Sequence, residues 1–388
     1  MSHTSREELV EAWREKYLQA SKAEKREILN HLVEGSGYNR KYLIRKLRHP
    51  RRSKGFHRRG RKRQYLGEVI EVLKQVWEWS DRICSKRLKP YLGEFIEKLE
   101  KHGHLHLDPS IKSQLLRMSA ASMDRYLKAE KYRNPSRGLA TTKPGTLLKS
   151  QIPVRIYTPW DEQKAGFMEV DLVAHCYDTV AGQYHYTLTS TDIATGWTEC
   201  VALPNKTQQR VNQAIELMRA RLPFPLLGLD SDNGSEFIND LLLRYCKQEK
   251  ITFTRCRAYH KNDQAHVEQK NWSVVRHVVG YDRFTTPEQL DLLNQIYLNL
   301  HDWLNFFQPV MKLVRKETIG SKTTKKYDTP SSPFQRVLAL NRIPEDPACQ
   351  DQTDRVKTAL IKRYNQLDPV ELWEKRNQLT ARILKIDR

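Results

Sequence analysis

Leu226-Leu227-Gly228-Leu229-Asp230-Ser231-Asp232-Asn233-Gly234-Ser235-Glu236-Phe237 runs from a short apolar strand into an acidic Asn-Gly turn and out into a helix. Downstream, Asn262-Asp263-Gln264-Ala265-His266-Val267-Glu268-Gln269-Lys270-Asn271 reads as a capped helix with a carboxylate, Glu268, one to two turns in. A strand end and a helix that each deliver a carboxylate suggest a site for a hard divalent cation, which prefers oxygen ligands. A third acid from upstream would complete it.

The flanking sequence predicts the sheet that would supply that acid. Residues 167–175 alternate across a strand with Asp171 in the middle. Two more β-rich runs, 184–191 and 197–203, are separated by a turn at 192–196. A helix over 207–222, a strand over 226–230, a helix over 235–250, a strand over 251–254 and a helix over 264–279 follow. The order β-β-β-α-β-α-β-α predicts a mixed five-stranded sheet with helices on both faces. Two rival acids share strand faces with the candidates by period two, Glu169 with Asp171 and Asp230 with Asp232. Asp192 opens an Asp-x-x-Thr-Gly turn and reads as structural. His175 and His266 read as packing or ligand-facing residues.

The chain has 388 residues and a net charge of +21, with 67 Lys and Arg against 46 Asp and Glu. An excess of this size points to a polyanionic partner. No run of 18 apolar residues exists, and the N-terminus lacks the apolar core of a signal peptide, so a cytoplasmic protein without membrane contact is expected. Six scattered cysteines without Cys-x-x-Cys pairs predict free thiols and no zinc ribbon.

The charge is concentrated. Residues 35–67 hold thirteen Lys or Arg and no acid. A helix over 22–33, the Gly35-Ser36-Gly37 break and a basic helix from Asn39 to Leu47 form a helix-turn-helix pattern. That pattern turns Tyr42, Leu43 and Leu47 inward and leaves Arg40, Lys41, Arg45 and Lys46 for DNA. The following segment carries Arg51, Arg52, Arg58, Arg59, Arg61, Lys62 and Arg63 without hydrophobic period, as an arm that displaces counterions from phosphates would. A second helical unit follows, in which His102, His104 and His106 read as turn residues.

The strand-rich region resembles the integrase-core (DDE) transposases of the RNase H-like superfamily, in particular the IS481-like insertion-sequence branch. The resemblance rests on residues 231–237 and 262–268, and on Trp303-Leu304-Asn305-Phe306-Phe307-Gln308-Pro309 and Tyr327-Asp328-Thr329-Pro330 downstream. It implies an RNase H-like α/β core and a catalytic, metal-binding triad of Asp171, Asp232 and Glu268, the last two separated by 35 residues. The cofactor implied is a pair of Mg²⁺ or Mn²⁺ ions, with no small-molecule cofactor. The function implied is DNA transposition: cleavage of element ends and joining of the 3′-OH to target DNA by a homo-oligomer. Gln264 and Asn271 share a helix face with Glu268 and are candidates to touch DNA or orient that carboxylate. The His-His-Cys-Cys zinc domain of retroviral integrases has no counterpart. A non-catalytic DNA-binding regulator and a stand-alone RNase H-like nuclease remain the rival readings.

The expected organisation is a helix-turn-helix domain over 1–50, a basic arm over 51–64 and a second helical DNA-binding domain over 65–131. A linker over 132–160 leads to the catalytic core over 161–284. A helical C-terminal region over 285–388 follows, with a basic Thr/Ser loop over 312–326 as a further candidate DNA contact.

Overall fold

The computed structural model describes residues 3–49, 64–130, 164–232, 234–256, 265–319, 322–343 and 352–386. Two compact units divide the chain, Met1–Gln64 and Tyr65–Arg388. The arm over 51–63 and the linker over 132–160 lie outside the described residues.

The first unit contains α1 (His3–Ala12), α2 (Arg14–Gln19), α3 (Lys22–Ser36) and α4 (Arg40–Arg48). They close around Val10, Tyr17, Ile28, Leu29, Leu32, Leu43 and Leu47. A Ser21–Glu24 capping box starts α3, and Gly37 ends it in the left-handed region at φ 69°. Asn39 then caps α4 by accepting from the Lys41 amide at 2.9 Å. The expected helix, glycine turn and basic helix are therefore present. α1 and α2 are separated only by a break at Trp13.

The second unit begins with α5 (Glu68–Trp79), α6 (Ser85–Lys101), α7 (Pro109–Arg117) and α8 (Ala120–Tyr126). Asp108 caps α7 with Pro109 at its first position, as the sequence predicts. The sheet comprises β1 (Phe167–Ala174), β2 (Tyr186–Asp192), β3 (Thr198–Leu203), β4 (Gly228–Ser231) and β5 (Thr252–Arg255), in spatial order β3-β2-β1-β4-β5. β1–β2 and β2–β3 are antiparallel, whereas β1–β4 and β4–β5 are parallel. The crossovers run through α9 (Gln208–Arg221) and α10 (Asp240–Gln248). This is the RNase H-like order expected from the sequence. After β5, α11 (Ala265–Lys270) widens into a π-helical turn, Asn271–Arg276, before α12 (His277–Val279).

The C-terminal elements finish the core. They are α13 (Pro287–Asp302) with a π-helical turn at Trp303–Phe307, the strands β6 (Leu313–Ile319) and β7 (Lys322–Tyr327), then α14 (Pro333–Ala339), α15 (Gln352–Gln366) and α16 (Pro369–Ile383). β3 is an edge strand whose outward backbone would otherwise lack partners. Asn294 brackets Ala202, accepting from its amide at 3.0 Å and donating to its carbonyl at 3.3 Å. Asn305 does the same for Thr198 at 2.9 and 3.0 Å. Phe334 and Tyr364 stack with ring centroids 4.8 Å apart, and the Tyr364 hydroxyl donates to Glu94 on α6 at 2.7 Å. Burying Phe334, 4% exposed, contributes about 1.5–3 kcal/mol. Sheet, preceding helices and following helices thus share one hydrophobic core.

Two expectations are corrected. Within the basic segment over 312–326, expected as a loop, β6 and β7 pair as antiparallel strands. Residues 352–366, for which no separate helix is expected, form α15. His102 and His104 do lie in a turn, but it is pinned across the chain: His104 Nε2 lies 2.7 Å from an Asp368 carboxylate oxygen. Among the described residues no helix is long and apolar enough to cross a membrane. The described cysteines are free thiols.

Candidate active site

The carboxylates are arranged by the pleat of two central parallel strands. Glu169 on β1 stands opposite Asp230 on β4, and Val170 opposite Ser231. Continuing that register by one residue sets Asp171 beside Asp232, just beyond the end of β4. Because side chains alternate, the four acids form two tiers on one face. The lower tier, Glu169 and Asp230, is fully buried, while Asp171 and Asp232 are half-buried. The lower acids serve the fold. Asp230 Oδ1 accepts from the Thr254 hydroxyl at 2.6 Å, and Glu169 Oε2 accepts from the Val267 amide at 3.1 Å. The second bond ties α11, the helix bearing Glu268, to the middle of β1.

Removing it should therefore be costly. Glu169→Ala leaves the buried Val267 amide without this acceptor and is expected to lose about 1–3 kcal/mol in urea unfolding. Glu169→Gln, which keeps an acceptor, should lose clearly less; equal losses would deny the bond any role.

In the upper tier, Asp171 Oδ1 accepts from the Leu172 amide at 2.8 Å, and Oδ2 accepts from Asn271 Nδ2 at 2.6 Å. Asn271 opens the π-helical turn, so its side chain reaches Asp171. Its Oδ1 is buried with no hydrogen-bond partner. Asp232 Oδ1 accepts from the Gly234 amide at 2.8 Å. Burial pushes the Asp232 carboxyl above its usual range and the nearby Glu236 charge adds to this, while the Gly234 amide and Lys206 pull the other way. Glu236, which follows Asp232 in the same acidic turn and was not among the expected ligands, is only 6% exposed and lies 3.4 Å from Lys206 Nζ. Gly234 is required by proximity: a Cβ there would sit 2.8 Å from Asp232 Oδ1 and 2.8 Å from Glu236 Cδ.

Glu268 lies on α11, but its side chain is outside the described residues, as is Gln264 entirely. Among the described residues no group of three His, Cys, Asp or Glu is assembled for a metal. The donors that are present nevertheless fit a hard divalent cation. They are all oxygens, Asp232 and Glu236 repel each other, and Asn271 Oδ1 is a further oxygen beside Asp171 with an unused lone pair. His175 is not a base here. It is fully buried against Thr187 at 2.7 Å, and burial pushes it well below its ordinary value. Asp192 accepts from the Gly166 and Thr195 amides at 2.8 and 2.7 Å, a structural role as expected, and burial raises it to about 6.

In the first unit, Lys41 and Arg45 are exposed on α4, with Arg45 over the Tyr42 ring. Arg40 donates to Asn30, and Lys46 pairs with Glu7. The arm residues Arg51, Arg52, Arg58, Arg59, Arg61, Lys62 and Arg63 lie outside the described residues.

Residues 161–261 match the Integrase core domain model. Three solved structures show partial likeness. The catalytic core of BIV integrase is 17% identical, covering 44% of this chain and 91% of that one at a TM-score of 0.27. The HTLV-2 integrase catalytic core, in complex with magnesium, is 17% identical, covering 39% and 93% at 0.29. The simian T-cell lymphotropic virus intasome with the PP2A regulatory subunit B56 gamma is 14% identical, covering 65% and 79% at 0.33. A full-length relative is far nearer: the uncharacterized protein y4rM of Sinorhizobium fredii (strain NBRC 101917 / NGR234) is 41% identical over 338 residues, 87% of this chain and 96% of its own. The chain belongs to the same protein family as y4rM, and its sheet carries the integrase-core fold.

Proposed function

We propose that the protein is a transposase that cuts DNA at element ends and joins the freed 3′-OH to target DNA. The observation that carries this reading is the register of two central parallel strands, Glu169 beside Asp230 and Val170 beside Ser231, which leaves Asp171 and Asp232 next in line, with the Glu268 helix tied to Glu169 through the Val267 amide. Asp171, Asp232 and Glu268 would hold two Mg²⁺ or Mn²⁺ ions. Bound there, such ions neutralise phosphate charge and favour the deprotonated attacking oxygen and the leaving oxygen of an in-line displacement. The chain's own residues prepare the site. Asn271 orients Asp171 through its 2.6 Å bond. The Gly234 amide fixes one oxygen of Asp232. Lys206 offsets part of the negative charge that Glu236 adds.

DNA would be held by the first unit and the arm, through the exposed Lys41 and Arg45, the half-buried Arg40 and Lys46, and the cluster over 51–63. Gln264 is a further candidate contact. The protein would act as a homo-oligomer on two double-stranded ends, in a bacterial-type cytoplasm and on the nucleoid.

The test is a strand-transfer assay with duplexes taken from the DNA on either side of the gene. Joined product is expected with Mg²⁺ and none with EDTA. Cutting without joining would favour a nuclease of this fold. Salt-dependent binding without any cutting would favour a non-catalytic regulator.

A further inference from the structure

We propose that the β6–β7 ribbon is a separate DNA-binding element, gripping duplex backbone away from the carboxylate site. The proposal extends the DNA-joining reading to a second stretch of DNA, but its own argument is electrostatic. β6 and β7 form a two-stranded antiparallel sheet detached from the main one. Its register sets Arg315 opposite Lys326 and Lys316 opposite Lys325. Like charges directly opposite destabilise a strand pair, and a lone two-stranded ribbon is marginal to begin with. Residues 312–327 carry six cations, Lys312, Arg315, Lys316, Lys322, Lys325 and Lys326, against one acid, Glu317. Lysines that merely guard an edge against aggregation would be mixed with acids at little cost. A ribbon that repels itself is complementary to a polyanion.

Its placement agrees. Arg315, Thr323, Thr324, Lys325 and Lys326 are all exposed. Arg315 pairs with Glu317, an exposed contact that contributes little and that a phosphate can displace. The ribbon is stiff at the root. The Lys312 amide donates to Asp328 Oδ1 at 2.7 Å and the Asp328 amide to the Lys312 carbonyl at 3.0 Å. Arg336 pairs with Asp328 at 2.7 Å, and Lys312 Nζ donates to the Ala194 carbonyl at 2.8 Å. Lys312 is therefore an anchor, and the exposed Arg315, Lys325 and Lys326 beyond it are placed to meet a ligand. Seven residues of strand span roughly 20 Å, enough to cross a major groove of about 12 Å. Ala194 lies in the turn after β2, whose last residue, Asp192, pairs with Met168 at the start of β1. Asp232, by contrast, follows the far end of β4. The root thus sits at the opposite end of the sheet from the upper carboxylates. A duplex on the ribbon is anchored there without entering the chemistry.

The test replaces Arg315, Lys325 and Lys326 together by Gln in the full chain, an exposed set whose loss leaves the core intact. Duplex binding is followed by fluorescence anisotropy across a KCl series. Binding at about 150 mM salt should weaken tenfold or more. The slope of log K against log[KCl] should become shallower by about 2–3, near 0.9 per lost phosphate contact. The Mg²⁺-induced rise in melting temperature should be unchanged. Unchanged affinity and slope would overturn the proposal. So would a loss of oligomeric state in sedimentation without any change in DNA binding, which would make the ribbon a contact between copies of the chain. If the wild type binds with the steeper slope yet joins no DNA, the ribbon stands and the transposase reading falls.

Discussion

Asp232→Asn is expected to lower strand cleavage and joining by about 10³-fold or more while raising the melting temperature of the metal-free protein at neutral pH. The first effect follows from what the carboxylate is for. A bound divalent ion supplies several kcal/mol of charge stabilisation, and each 1.36 kcal/mol is a factor of ten in rate. Asn keeps the shape and one acceptor for the Gly234 amide but lacks the negative charge. The second effect follows from burial, which holds the Asp232 carboxyl above its ordinary value beside Glu236. A raised carboxyl takes up its proton more readily folded than unfolded. The penalty for its charge is therefore fully present above the raised value, shrinks as pH falls, and is gone below the unfolded value. The Asn variant should melt higher than wild type at pH 7 and lose that advantage on acidification. Mg²⁺ should reverse the order, because a ligand at 100 times its dissociation constant stabilises the protein that binds it by about 2.7 kcal/mol. A variant that melts lower than wild type without metal, or still joins DNA, would sink the assignment of Asp232. Asp171→Asn should cost as much activity.

The parts of this architecture that the sequence made legible are those governed by local chemistry. Helix starts at Asn39, Asp108-Pro109, Thr286-Pro287, Ser332-Pro333 and Asp368-Pro369 are signalled by their own capping residues, and all five are where the caps predict. The sheet order follows from apolar alternation and the two crossover helices. Long-range relations were not legible. Period two puts Glu169 with Asp171 and Asp230 with Asp232, but cannot say which tier is buried; that depends on Thr254 and the Val267 amide, distant in sequence. Helix period sets Asn271 on the Glu268 face, but its bond to Asp171, far upstream in sequence, is not readable from any local pattern. The β6–β7 pair escaped because it is rich in Lys, Arg and Thr and lacks regular apolar alternation. Its Val, Ile and Thr content was the available signal. For α15 the signal was Val356, Leu360 and Tyr364 at intervals of four.

Gly234→Ala should reduce joining by about 100-fold with only modest loss of stability, and it separates geometry from charge at this site. Gly234 is not held in a left-handed conformation, so backbone strain does not forbid a side chain there. What forbids it is crowding, since the new methyl would lie 2.8 Å from Asp232 Oδ1 and 3.0 Å from Glu236 Oε1. Asp232 is half-buried and can swing aside to relieve the contact, although Glu236, 6% exposed and paired with Lys206, is more confined. The fold can therefore absorb the change, whereas the ligand set cannot. A displacement of about 1 Å in a reacting constellation costs on the order of 10²-fold in rate. Every charge remains, so DNA affinity and its salt dependence should match wild type, while the Mg²⁺ concentration giving half-maximal joining should rise. Full activity at ordinary Mg²⁺ would mean that Asp232 need not stand where the Gly234 amide holds it. Adding Glu236→Gln to Gly234→Ala should restore part of the metal affinity if the repulsion between the two carboxylates is what the methyl worsens, and none if the methyl simply displaces Asp232.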